Sequence, residues 1–189
     1  MIRRASIRDV PDLAEIINGC AEYGLMLHRS HGYLYEHVRD FHVAVDAERV
    51  VGVCGLGIVW ANLAELYALA VAPTARGQGL GRQLVEACMT EARTLKMPRV
   101  FCLTYEQHFF ERLGFAVVDR QKLPLKVWSE CVRCLKNQSC DEIAMAQTLD
   151  DVPAMDAPQP ASPPDDQYVV PVPLPVAQNR PPQRMSQGP

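Results

Sequence analysis

Residues 66–92 read LYALAVAPTARGQGLGRQLVEACMTEA, with Gly77, Gly79 and Gly81 at alternate positions between an apolar run and an amphipathic helical pattern. A helix start carries unpaired N–H groups and a partial positive charge, and glycines remove the side chains that would hold an anion away from them. The segment therefore asks for a strand–loop–helix unit whose backbone receives a phosphate. A dinucleotide fingerprint needs its third glycine later than this loop offers, and a nucleotide-triphosphate loop needs Gly-Lys-Ser or Gly-Lys-Thr, which is absent. What remains is Arg76-Gly77-Gln78-Gly79-Leu80-Gly81, followed by Arg82.

The pattern on either side alternates strands and helices. IRRAS reads as a first strand, and DVPDLAEIINGCAEYG as a helix with Asp9 as its N-cap, Pro11 in the first turn and Leu13, Ile16 and Ile17 on one face. LMLHRSHGYLYEHVRDF gives a second, less regular helical region. FHVAVD and RVVGVCGLGIV form a hairpin about a turn at Ala47 and Glu48, and AELYALAV adds a third strand before the glycine loop and a helix to about Leu95. RVFCLT is a strand, EQHFFERLG a short helix closed by Gly114, FAVVDR a strand, LPLKVWSECVRCLK a helix and DEIAMAQTL a last strand. The expected fold class is mixed α/β: a mostly antiparallel mixed sheet of about six or seven strands flanked by helices.

A chain of 189 residues suits one domain, here residues 1–149. Residues 150–189 carry most of the 15 prolines and no period, which predicts a disordered or polyproline-like tail; its VVPVPLPV stretch could receive a proline-reading partner. A net charge of -3 with scattered basic residues gives no reason to expect nucleic acid, and no apolar run is long enough for a membrane span. MIRRASIRDV lacks the apolar core of a secretory signal, so the expected compartment is the cytoplasm and the seven cysteines are expected to be reduced.

R-G-Q-G-L-G after LYALAVAP resembles the acyl-coenzyme A loop of the GNAT acetyltransferases, [RQ]-x-x-G-x-[GA], and FFERLGF, residues 109–115, lies where that family carries F-Y-x-k-x-G-F. The resemblance spans about residues 1–149 and implies acetyl-CoA as co-substrate. It places the coenzyme against Leu69, Ala70, Val71, Arg76, Gly77, Gln78, Gly79, Leu80, Gly81, Arg82 and Phe110, with the Val71 N–H as oxyanion donor. A general base is often kept on the strand before the loop, where Glu65 is the acid entering an otherwise apolar run. For the leaving thiolate's proton, Thr104 and Tyr105 end the neighbouring strand, since the usual tyrosine position is Phe110 here. Either could instead cap the helix that follows.

GLMLHRSHGYLYEHVRDFHVA is similar to a region of N-acetylglutamate synthase acetyltransferase domains, and LPLKVWSECVRCLKNQSCDEIAM to the C-terminal part of their short, single-domain versions. That resemblance implies acetyl transfer to the α-amine of L-glutamate, the first step of arginine biosynthesis. Arg29 can grip a carboxylate bidentately and Lys126 can supply a second cation, though Arg29 could also pair with Glu36 or Asp40. The competing readings are a GNAT enzyme for another small amine or a protein amino group, and a non-catalytic acyl-CoA-binding regulator. Many members of the family pair as dimers, so a homodimer is one assembly the resemblance implies. Cys131, Cys134 and Cys140 form C-x2-C-x5-C, whose first pair could chelate zinc with a further ligand from elsewhere; core packing is the simpler account of two thiols one helical turn apart, and no metal is expected. His42 and His108 have no metal-pair spacing and receive no role.

Overall fold

The computed structural model of the chain describes residues 1–123 and 140–153. The elements are β1 (Ile2–Arg4), α1 (Val10–Ala21), α2 (His31–Glu36), β2 (Phe41–Asp46), β3 (Arg49–Trp60), β4 (Leu63–Val71), α3 (Leu80–Thr94), β5 (Arg99–Thr104), α4 (Gln107–Glu111), β6 (Ala116–Val117) and β7 (Ile143–Thr148). They form a seven-stranded sheet in the order β1-β2-β3-β4-β5-β7-β6. Among the described residues only β4 and β5 run parallel. A parallel pair needs a crossover, and the glycine loop with α3 supplies it. The expected mixed sheet flanked by helices is what the chain forms, with FAVVDR contributing only the two residues of β6. The hairpin turn falls at Ala47 and Glu48, both with positive φ, 44° and 67°. That left-handed backbone conformation at both residues is what a tight two-residue hairpin loop requires to match the right-handed twist of its strands.

Helices cover both faces of the sheet. On one face α3 buries Leu84, Val85, Cys88, Met89 and Ala92 against Leu56, Leu66, Val100 and Met145. On the other, Leu13 and Ile17 of α1 and Leu34 of α2 pack on Phe41, Val43 and Val53. A third cluster on that second face joins Leu63, Phe101 and Ala144. Packing continues past Leu149, where the sequence suggested the domain ends: Val152 is buried in the α3-side core and Asp151 pairs with Arg93 at 2.8 Å. Among the described residues no helix is long and apolar enough to cross a membrane.

Asp9 is the N-cap of α1 and Pro11 lies in its first turn, as expected, but the side chain of Asp9 is used elsewhere. Asp9 closes a 3-10 turn over Ile7–Asp9 that feeds directly into α1, with helical dihedrals and no side-chain cap bond of its own. Its carboxylate turns back instead, accepting the Ser6 N–H at 2.6 Å and the Ser6 hydroxyl at 2.8 Å, and meeting both Arg3 Nη atoms at 2.7 and 2.8 Å. The Arg3 bonds are the main reason the Asp9 pKa is lowered to about 2. A depressed carboxylate contributes stability above its unfolded value and loses it as the pH falls through the folded one. Asp9→Asn is therefore expected to cost about 1–2 kcal/mol at neutral pH, allowing for solvent around the guanidinium. The difference from wild type should shrink between about pH 4 and the folded value, as read by urea unfolding across that range.

Candidate active site

The pairing of β4 with β5 stops after Ala64–Val100 and Glu65–Phe101, although both strands run on. A bulge in β4 contributes to the split. Tyr67 stands opposite Gly55 and Ala70 opposite Val53, so Ala68 and Leu69 together face Cys54. Ala68 takes φ 50°, an uncommon conformation for alanine, and the bulge re-aims the strand's last residues.

A cleft of about 350 Å³ lies at this end of β4, bordered by Val71, the glycine loop, the start of α3, and Phe109 and Arg112 from α4 and its C-terminal end. Gly77 and Gly79 have φ 78° and 74°. Their positions are not crowded: a Cβ at Gly77 would meet nothing within 4 Å, and one at Gly79 only Gln83 Nε2 at 4.0 Å. Glycine is thus required by backbone direction. Gly79 is the N-cap of α3 and offers no capping side chain, and the first turn of α3 carries no acid. The orphan amides of that turn are left for an anion. Arg76 ties the loop to the strand by donating Nε–H to the Val71 carbonyl at 3.2 Å, and Arg82 pairs with Glu86 at 2.7 Å on the exposed side of α3. Gln78 is exposed and Leu80 half-buried. A phosphate cradle with arginines at its rim fits the diphosphate of an acyl-coenzyme A.

Not every residue expected at this cleft reaches it. Phe110 is 4% exposed and sits in the α3-side core, edge-to-face with Phe109 and Phe115. The phase of α4 turns Phe109 to the cleft instead. Leu69 and Ala70 direct their side chains into the cores on opposite faces, so they present backbone. Arg112 and Phe109 were missed in the sequence; the signal was present, because Arg112 occupies the basic position of the FFERLGF segment.

Glu65 lies half-buried on β4, on the face it shares with Leu63 and Tyr67. Leu63 belongs to one apolar cluster and Tyr67 packs against another, so Glu65 stands on the strand between the two. Across β3 its register partner is Gly57, which has no side chain to fill the space. The Cys102 thiol next door is raised to about 12, mainly by burial and further by the Glu65 charge, which makes it inert. At the end of β5, Thr104 is buried and its Oγ1 accepts the Glu106 N–H at 2.9 Å, so its oxygen caps the turn into α4. Tyr105 follows it, half-buried.

Arg29 lies just before α2, whose N-cap is Ser30, so it is not on that helix. Asn18 of α1 holds its backbone from both sides, accepting its N–H at 2.8 Å and donating to its carbonyl at 3.0 Å. The guanidinium stands 4.2 Å above the Tyr33 ring. Asp40, one suggested partner, accepts the Tyr67 hydroxyl at 3.0 Å and faces His37 Nδ1 at 3.2 Å. Lys126, Cys131 and Cys134 lie outside the described residues, and Cys140 is half-buried with its thiol 3.5 Å from Glu142 Oε2. His42 is buried between Cys88 Sγ at 3.6 Å and Glu91 Oε2 at 3.5 Å, under α3, and His108 pairs with Glu111 at 3.0 Å on the surface of α4.

Known proteins share this arrangement. The Acetyltransferase (GNAT) family matches residues 11–115. An uncharacterized N-acetyltransferase of Chlorobaculum tepidum is 38% identical over 148 residues, 78% of this chain and 96% of that protein. An amino-acid acetyltransferase of Mycobacterium tuberculosis is 33% identical over 153 residues, 79% of this chain and 84% of the relative. The crystal structure of N-acetylglutamate synthase from Neisseria gonorrhoeae, complexed with coenzyme A and N-acetyl-glutamate, superposes with a TM-score of 0.70 at 26% identity. It covers 79% of this chain, which spans only 35% of that larger one. With over half its length matched and a phosphate loop at the mouth of a split sheet, the chain belongs to the GNAT acetyltransferase family.

Proposed function

We propose that the protein is an acetyl-CoA-dependent N-acetyltransferase whose acceptor is the α-amine of L-glutamate. The observation that carries this reading is the juxtaposition along one strand: β4 bears Glu65 between two apolar clusters and delivers Val71 to a cradle of open amides. Acetyl-CoA supplies an activated acetyl group as a thioester. The amides of residues 76–82 and the arginines at the rim hold its diphosphate, and the backbone of Leu69 and Ala70 lines the path of its arm. The Val71 N–H polarises the carbonyl as negative charge develops on oxygen. Glu65 takes the proton of the attacking amine, directly or through one water, and Tyr105 returns a proton to the departing sulfur. Thr104 keeps the end of β5 in place through its cap.

Arg29 receives a substrate carboxylate, held in direction by Asn18 and Tyr33, and Lys126 supplies the second cation. The similarity to the amino-acid acetyltransferase and to the glutamate-handling Neisseria enzyme supports an acidic amino acid. In steady-state assays of thiol release, glutamate should lead a panel of amino acids. A different leading amine would overturn the acceptor, and binding of acetyl-CoA without turnover on any amine would overturn the enzyme. Arg29→Ala should raise the KM for glutamate by roughly 10- to 100-fold, the loss of a charged bidentate contact, while the KM for acetyl-CoA changes less than about twofold. Equal effects on both would remove Arg29 from the acceptor site.

A further inference from the structure

We propose that Tyr67, fixed by its hydrogen bond to Asp40, is a specificity-determining positioning residue that sets the space between Glu65 and Arg29 and so selects the length of the acceptor. The inference rests on the reading above, in which an amino acid is acetylated beside Glu65.

Tyr67 follows Glu65 by two positions and shares its face of β4. Its ring lies down on β3, in space that only glycine leaves. A Cβ at Gly55 would stand 2.7 Å from Tyr67 Cε1, and one at Gly57 would stand 3.3 Å from the same atom. Since Gly57 is the register partner of Glu65, the ring floors the gap beside that carboxylate. The ring is steadied by Phe41 at 5.3 Å.

From the ring a continuous series of contacts leads to Arg29. The Tyr67 hydroxyl donates to Asp40 Oδ2 at 3.0 Å, and the same oxygen meets His37 Nδ1 at 3.2 Å. His37 stacks on Tyr33 at 4.1 Å, and Tyr33 lies under the Arg29 guanidinium. Burial first, and then the Asp40 charge, push the Tyr67 phenol well above its ordinary range, so the hydroxyl keeps its proton as the donor to Asp40. The position of Arg29 relative to β4 is therefore tied to side chains on β4 itself. That tie fixes the span from the amine beside Glu65 to the guanidinium, and with it the length of dicarboxylic amino acid the proposal selects.

The test uses the full chain with Tyr67→Phe, which keeps the floor and removes the hydroxyl, and Asp40→Ala, which removes its acceptor. Each should raise the KM for glutamate about tenfold and lower the preference for glutamate over aspartate by a similar factor, with kcat and the KM for acetyl-CoA within about twofold. The double variant should fall well short of the sum of the two single effects, because both remove the Tyr67–Asp40 bond. Unchanged melting temperature in Tyr67→Phe shows that the effect is not unfolding. If wild type acetylates glutamate while Tyr67→Phe keeps its KM and preference, or if the two effects add, the relay is overturned and the enzymatic reading stands. If wild type acetylates no amino acid while binding acetyl-CoA, the underlying reading fails, and this inference with it.

Discussion

Gly79→Val is expected to weaken acetyl-CoA binding by on the order of 100-fold or more, with the fold intact. The reason lies in the backbone. Gly79 holds φ 74° as the N-cap of α3, a conformation that costs an ordinary L-residue about 1–2 kcal/mol and a β-branched one more. The new Cβ itself meets no crowding, the nearest atom being Gln83 Nε2 at 4.0 Å. The chain can therefore relieve the strain locally, by turning the residue to negative φ. Doing so rotates the Gly79–Leu80 peptide and swings the first amides of α3 away from their common direction. The valine methyl groups would also occupy the face from which the cradle is open. Both losses fall mainly on the anion, since the fully buried residues of α3 begin at Leu84 and only half-buried Leu80 packs on the core ahead of them. Calorimetric titration with acetyl-CoA and a thermal melt of each protein would separate the two: affinity lost, melting temperature within a few degrees. Equal affinity for the wild-type and valine proteins would remove the assignment of this loop.

That loop was legible in the sequence because its chemistry is local and lives in the main chain. Three glycines and their distance from a strand and a helix are enough to specify it. Among the described residues the alternation of elements was legible for a similar reason, each strand and helix announcing its own period; most of the helix expected over LPLKVWSECVRCLK lies outside them. Features that depend on what lies across the sheet were not. Ala68 carries no mark of a bulge, which arises only when β4 is laid against β3 with one residue too many. Tyr67 reads as one more apolar strand residue until Asp40, 27 positions earlier, is brought to its hydroxyl. Phe109 and Phe110 are adjacent and alike, and only the phase of a five-residue helix decides that the first faces the cleft and the second the core. Asp9 satisfies every rule for an N-cap, yet Arg3 and Ser6 compete for it and win, since two charged bonds and a backbone donor outweigh one capping contact. Thr104 uses its oxygen in the turn ahead of α4, accepting the Glu106 N–H, while Glu106 itself is the N-cap of that helix.

Glu65→Gln should lower kcat by about 10²- to 10³-fold, the usual worth of a positioned general base, while leaving the KM for acetyl-CoA within about twofold. Glutamine has nearly the same shape, and the site opposite is Gly57, so the packing between the two apolar clusters neither collapses nor overfills. What changes is proton affinity: an amide nitrogen and oxygen cannot take the proton that the amine must shed before or during attack. A deficit of that origin has a pH signature. As the pH rises, the fraction of acceptor already unprotonated in solution grows, and the variant needs the missing base less, so the ratio of wild-type to variant rate should narrow steadily toward alkaline pH. A residue that merely shaped the strand would give a ratio independent of pH. Should kcat fall by less than about threefold, or should the ratio stay flat across the profile, Glu65 is not the base, and the proton must leave through water alone.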